Sequence, residues 1–362
     1  MSEIVDRVLL LDGELSFRGS SLQTLRLARG LERREIDTAL VCTRVQDLDR
    51  TLLRGVRLHC IAGYHLPIWG RIVMRTLYRD LRREPPNLIH LQDSRLLPQG
   101  AWLAEKLKCP LVLTVGDHAE AAELNLRQAF KPLRAIISVS ESVQSKIPKS
   151  AGIVGVEQRV IHPGVSVSEE QVLRCPLESG RQPVVGMAGP LEVIKGPSFF
   201  LRACHRVVEA GHDIRIVIAG SGPEERSLRQ LAASLELTRR LTMVDGGVSM
   251  EAYLSAMDIF CLPSLQQGLG VLMLEAMALG RPVIASGVGG VLDVIENNVN
   301  GLIVPPSDSR SLAEQMILLL NSPETARRLA DAGKESVQKE FSEKRMLDET
   351  IQLFDEICSS SV

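Results

Sequence analysis

The chain has 362 residues, 45% hydrophobic and 3% aromatic, with a net charge of -2. That length suits two domains better than one core, and the balanced charge excludes a protein that coats nucleic acid. With few aromatics, Leu, Val, Ile and Ala must build the core, a mixture favoured by parallel sheets covered on both faces.

The N-terminal MSEIVDRVLLLDG interrupts its apolar run with charges and lacks the core of a secretory leader. Short β-branched runs then alternate with longer amphipathic stretches, the pattern of βαβ units. Strands are expected at 5–12, 37–43, 56–62, 87–92, 110–115 and 134–140, with helices at 20–34 and 98–108 between them. Gly19, followed by Ser20 and Ser21, forms a strand-turn-helix junction where either serine serves as N-cap or the turn contacts phosphate or acceptor. Within HLPIWGRIVMRTLYRDLRRE (65–84), Arg71, Arg75, Arg79, Arg82 and Arg83 follow helical spacing, with Trp69, Ile72, Val73, Leu77 and Leu81 at other positions. Such a segment is either a core helix with a solvated Arg face or a helix that lies on an anionic membrane.

Residues 169–183 are polar and punctuated by Pro and Gly, as in a linker. A second set of strands is expected at 183–189, 213–220, 240–246, 258–264, 281–286 and 301–306, followed by helices at 309–321, 323–341 and 342–358. No window approaches the roughly 18 apolar residues that span a membrane. Seven cysteines (Cys42, Cys60, Cys109, Cys175, Cys204, Cys261 and Cys358) lack CxxC spacing, and most sit in apolar runs as small core residues. Neither a disulfide framework nor a zinc site is indicated, and a reducing cytoplasm is the expected compartment.

The most informative stretch is SLQQGLGVLMLEAMALGRPVIAS (264–286). Residues 271–279 are apolar except for Glu275, so the helix is expected to be buried with its carboxylate amid hydrocarbon. Its first-turn N–H groups and dipole make an anion site, and Gly268 and Gly270 let a phosphate approach the backbone. Glu275, one turn in, leans toward that site. It either accepts from two adjacent sugar hydroxyls, as on a ribose, or is a dipole-stabilising Glu satisfied by backbone or an Arg.

PSLQQGLGVLMLEAMALGRPVIAS resembles the signature of glycosyltransferase family 4, approximately P-S-x-x-E-G-x-G-x-x-x-x-E-A-M-A-x-G-x-P-V-I-A. VVGMAGPLEVIKG (184–196) is similar to the family's G-R-L-x-x-x-K-G, and IRIVIAGSGPEERSLRQLAASLEL (214–237) and GGVLDVIENNVNGLIVPP (289–306) also follow its course. HLQD (90–93), LTVGD (113–117) and VIHPGV (160–165) carry a thinner likeness in the first half.

The resemblance implies the α/β GT-B fold, two Rossmann-like parallel-sheet domains facing a central cleft. It divides the chain into an acceptor-side domain 1–168, a linker 169–183, a nucleotide-sugar domain 184–341, and a helix 342–362 that returns to the first domain. It assigns Glu275 to the nucleotide ribose and places the donor diphosphate against Gly268, Leu269, Gly270, Val271 and Leu272, beside Lys195. The base then lies near Gly246 and Val248.

Three positions depart from the pattern. Gln267 replaces a Glu that would accept from donor-sugar hydroxyls, Pro190 an Arg, and Gly116 a His that commonly ends the T-V-H strand, whose space His118 is placed to reach. The implied activity is transfer, with retention, of a sugar from a nucleoside-diphosphate donor to a glycan, lipid-linked or small-molecule acceptor, with no cofactor and no obligatory metal. It implies a place in polysaccharide or glycolipid synthesis, in the cytoplasm or at the inner membrane face. The three departures motivate an alternative, a degenerate relative that acts as a binding or assembly partner.

Overall fold

A computed structural model describes residues 5–16, 19–46, 48, 53–63, 69–124, 130–148, 155–166, 176–178, 180–245 and 250–360, the side chains of Trp69 and Arg71 excepted. The chain forms two compact units, Met1–Gly164 with Glu343–Val362, and Val165–Ser342. Most of the expected linker, residues 169–175 and 179, lies outside the described residues.

The first unit opens with β1 (Arg7–Leu11), β2 (Glu14–Leu15), α1 (Gly19–Arg33), β3 (Asp37–Cys42), β4 (Arg44–Val45), β5 (Arg57–Cys60) and α2 (Trp69–Leu81). It continues with β6 (Leu88–Leu91), α3 (Leu97–Leu107), β7 (Leu111–Val115), α4 (His118–Glu123), β8 (Leu133–Ser138), α5 (Glu141–Gln144) and β9 (Glu157–Val160). Seven of these strands form one parallel sheet in the order β5-β3-β1-β6-β7-β8-β9.

Strand side chains alternate between faces. Leu9 and Leu11 join a core beneath α3, while Val8 and Leu10 join another that includes Leu27 and Leu31 of α1. Both faces of the central strands are covered, which is why those strands read as continuous apolar runs. The second core is completed by the C-terminal helix, Glu343–Ser359, through Leu353, Phe354 and Ile357. It comes close to α1 at Gly30, where a Cβ would stand 2.3 Å from Leu347.

The second unit runs β10 (Val184–Ala188), α6 (Pro197–Glu209), β11 (Arg215–Ala219), α7 (Glu225–Ser234), β12 (Leu241–Val244), α8 (Met250–Ala256) and β13 (Ile259–Leu262). Then come α9 (Val271–Ala278), β14 (Val283–Ser286), α10 (Val291–Val294), β15 (Leu302–Val304), α11 (Ser309–Asn321) and α12 (Pro323–Glu340). Its parallel sheet has the order β12-β11-β10-β13-β14-β15. α6 and α11 cover one face around Phe200, Leu201 and Met316, while α9 packs against β13, β14, α8 and α12. Asp258, fully buried before β13, accepts from the N–H groups of Leu177 and Val184 at 3.0 and 2.8 Å and from Arg181.

Two local expectations need correction, at Ser20–Ser21 and along the arginine helix, and β9 and Cys60 add to the sequence reading. β9, the polar sequence EQRV, pairs with β8 as the outer strand of its sheet; an edge strand has one partner and needs no apolar run. Ser20 and Ser21 lie inside α1, which starts at Gly19, so neither is its N-cap. Ser21 Oγ instead accepts from the Ser16 N–H at 3.1 Å. Arg82 and Arg83 follow the end of α2, and Ile72 is 51% exposed, on the side of the arginines rather than of Met74. Cys60 is exposed; in-register pairing of β3 with β5 sets its Sγ within hydrogen-bond distance, 3.6 Å, of that of buried Cys42, and both are free thiols.

Candidate active site

In the second unit the direction in which the sheet grows reverses between β10 and β13. Loops leaving adjacent strands at such a point diverge and open a crevice at the carboxyl edge, where ligands of open α/β sheets bind. The two loops concerned carry Lys195 and Gln267.

The β10 loop is shaped by backbone that only glycine tolerates. Gly196, at φ +69°, turns the chain into α6, and a Cβ there would lie 2.0 Å from the carbonyl oxygen of Pro263 in the β13 loop. A Cβ on Gly220, at φ +149° after β11, would lie 1.9 Å from the Gly189 oxygen. The loops therefore touch backbone to backbone. The Leu265 N–H donates to the Ile194 carbonyl at 2.8 Å, and the Gly290 N–H to Gly268 at 2.9 Å, bringing in the β14 loop.

This contact brings together residues distant in sequence. Lys195 ends a 3-10 turn, and its Nζ donates to Gln267 Oε1 at 3.0 Å. Buried Ser264 donates to the same oxygen at 3.2 Å. Gln267 Cγ is 3.6 Å from where a Cβ of Gly270 would stand, so the amide flanks the start of α9.

Gly270, at φ +103°, is the N-cap of α9. The leading N–H groups of the helix have no intrahelical acceptor and carry the positive end of its dipole. At the other end Arg281, 2% exposed, donates to the Leu279 and Met257 carbonyls at 3.0 and 3.2 Å. A cation there balances the negative pole and leaves the positive pole to a ligand. Leu269 and Val271 are buried, so only their backbone can meet such a ligand, whereas Leu272 and Glu275 are half-buried. Three residues apart, these two share a face. Glu275 thus sits on an open stripe, not in the hydrocarbon expected from the apolar run.

Gly246 and Val248 lie outside the described residues. Gly19 and His118 belong to the first unit. His118 Nε2 bonds Ser142 Oγ at 2.8 Å, and its pKa is lowered, first by burial and then by Lys146. Gly116 donates its N–H to Glu120 Oε2 at 2.7 Å, and a Cβ there would meet that oxygen at an ordinary 3.7 Å. The reversal point of this sheet, between β1 and β6, carries a residue that sequence reasoning missed. Asp12 is 7% exposed and accepts from the Gly13 N–H and Thr24 Oγ1, both at 2.7 Å.

The Glycosyltransferase Family 4 profile matches residues 17–169, and the Glycosyl transferases group 1 profile matches 170–336. The chain belongs to glycosyltransferase family 4. This glycosyltransferase is 28% identical to an uncharacterized glycosyltransferase of Methanocaldococcus jannaschii over 93% of its own length and 94% of the relative's. It is 25% identical to the alpha-D-kanosaminyltransferase of Streptomyces kanamyceticus, over 86% of its length and 79% of that enzyme. Its fold is similar to that of Anabaena Alr3699/HepE, crystallised with UDP-glucose, with a TM-score of 0.83, 18% identity and coverage of 97% and 99% of the two chains. Sucrose-phosphate synthase from Thermosynechococcus elongatus gives a TM-score of 0.73 at 17% identity, over 97% and 100%. The units of the glycosyltransferase are those of the GT-B fold.

Ser264 and Gly290 of the glycosyltransferase sat inside quoted motifs without a role, and the structure shows both bonded to the Gln267–Gly268 segment. The signal for Ser264 was a polar residue directly behind an apolar strand. Among the described residues, no helix of the glycosyltransferase is long and apolar enough to cross a membrane.

Proposed function

We propose that the chain transfers a sugar, with retention, from a nucleoside-diphosphate donor to a glycan, lipid-linked or small-molecule acceptor. The observation that carries this is the convergence of Lys195, Gln267 and the start of α9, with Glu275 one turn inside on the open stripe. The diphosphate is held by Lys195 and the N–H groups of Val271 and Leu272. Glu275 accepts from the two ribose hydroxyls, and the base lies near Gly246 and Val248. As the anomeric bond breaks, negative charge grows on the phosphate oxygen, and the cation and helix terminus are already oriented toward it. The acceptor attacks on the face the phosphate leaves, so no protein nucleophile is needed and no metal has to neutralise the charge. UDP-glucose in the complex of the Anabaena neighbour supports a nucleotide sugar as the donor class.

For the acceptor, the reading favours a substrate at the inner face of a membrane. Arg75, Arg79, Arg82 and Arg83 are exposed, and so is Ile72; exposed arginines with an apolar side chain suit anionic lipid.

The test is release of nucleoside diphosphate from a panel of UDP-, GDP- and ADP-sugars, with thermal melts of the same mixtures. Turnover in the native chain, lost in Glu275→Ala together with the nucleotide-induced rise in Tm, is the expected result. Absence of both with every donor refutes the proposal. Activity that appears only after Gln267→Glu and Pro190→Arg identifies the degenerate relative instead.

A further inference from the structure

A lysine ammonium can only donate, so the Gln267 atom 3.0 Å from Lys195 Nζ must be the carbonyl oxygen. Ser264 donates to the same atom at 3.2 Å. Both acceptor positions of Oε1 are thereby filled. What Gln267 retains is its amino group, which makes no hydrogen bond among the described residues. A glutamate at this position would present the reverse, one oxygen for Lys195 and Ser264 and a second acceptor beside the donor site. The site has therefore exchanged a second acceptor for a donor while keeping its internal bonds. Gln267 flanks the N-cap of α9, where the donor-site assignment puts the phosphate that carries the sugar.

We propose, on the donor-site assignment given above, that Gln267 selects a donor sugar whose substituent facing α9 is an acceptor only, a carboxylate or an acetamido carbonyl. A hydroxyl meeting the amide must direct its own proton elsewhere, whereas an acceptor-only oxygen takes the N–H with nothing left over. A carboxylate gains further from Lys195, whose charge lies on the other side of the amide. Glutamate in place of Gln267 would repel that carboxylate, so the substitution sets specificity by removing a repulsion as well as by adding a donor.

Calorimetric titration of the full chain with UDP, UDP-glucose, UDP-glucuronate and UDP-N-acetylglucosamine tests this, with GDP, GDP-mannose and GDP-mannuronate as the second set. The native chain should bind one acceptor-bearing donor roughly tenfold or more tightly than the plain hexose of the same base, as expected for one hydrogen bond to a charged or strong acceptor. The arm that shows the gain separates carboxylate from acetamido. Gln267→Glu, which preserves the Lys195 bond, should invert the order, and Gln267→Ala should flatten it. Equal or tighter binding of the plain hexose, or an order unchanged in Gln267→Glu, overturns the proposal while binding of UDP or GDP alone leaves the donor site standing. If neither nucleotide binds, the donor-site assignment falls and the proposal with it.

Discussion

Asp12 is the perturbation whose magnitude the structure defines best. It closes β1 at the point where the first sheet reverses, and burial lifts its pKa from 3.8 to about 6 against the hydrogen bonds from Thr24 and Gly13. Asp93 adds to the rise and Arg95 opposes it. A carboxyl with a raised pKa binds its proton more tightly in the folded unit than in the unfolded chain. Stability is therefore lost as pH climbs from 3.8 to about 6, and the full cost persists above that window. At about 1.4 kcal/mol per pH unit, the rise corresponds to about 3 kcal/mol at neutral pH. Asp12→Asn removes this cost and can keep the bonds to Gly13 and Thr24. Its oxygen can keep the Gly13 N–H, and its amino group can donate to Thr24 Oγ1, which then donates to the Ser20 carbonyl already 3.2 Å away. Calorimetric melts at pH 7.5 should show Asp12→Asn melting higher by about 6–12 °C, using the usual 2–4 °C per kcal/mol for a unit of this size. The gain should shrink toward zero at pH 4, where the wild-type carboxyl is protonated. A variant that melts no higher than wild type at pH 7.5, or a gain that survives unchanged at pH 4, refutes the reasoning.

Gly220→Ala combines a positive φ with a Cβ 1.9 Å from the Gly189 oxygen. It should cost about 2–4 kcal/mol, read as a lower denaturant midpoint; an unchanged midpoint shows that the β10 and β11 loops are not locked. Replacing Arg75, Arg79, Arg82 and Arg83 with Gln should cut co-sedimentation with phosphatidylglycerol vesicles. At about 1 kcal/mol per arginine near the surface, the loss approaches a thousandfold in partitioning. Equal sedimentation of variant and wild type removes α2 from the membrane.

The central strands of both sheets were legible because burial on both faces writes an uninterrupted apolar run into each one, as in β6 and β13, whereas the edge strands β5, β9 and β12 are largely exposed or half-buried. The glycine turn before α9 was legible for a related reason, since an all-apolar helix entered through Gly268 and Gly270 is a local pattern. Sequence also marked Glu275, as the lone acid of that helix, whereas Lys195 and Gln267 were marked only through resemblance to a family. Local pattern could not show that Lys195 bonds Gln267 across 72 residues. That depends on the sheet reversing between β10 and β13 and on Gly196 letting the loop backbones touch. Nor could it show that Glu275 lies on an open stripe, because what covers a helix is decided by neighbours folded over it. Asp12 carries the same lesson. Its neighbours in sequence predict an ordinary carboxyl, and only the sheet and α1 closing over it, with Thr24 brought to 2.7 Å, deprive its charge of water. Sequence determined which segments become strands and helices, since that follows from nearby residues. Tertiary structure decided which polar groups meet and how far each is removed from solvent, since both depend on strand order.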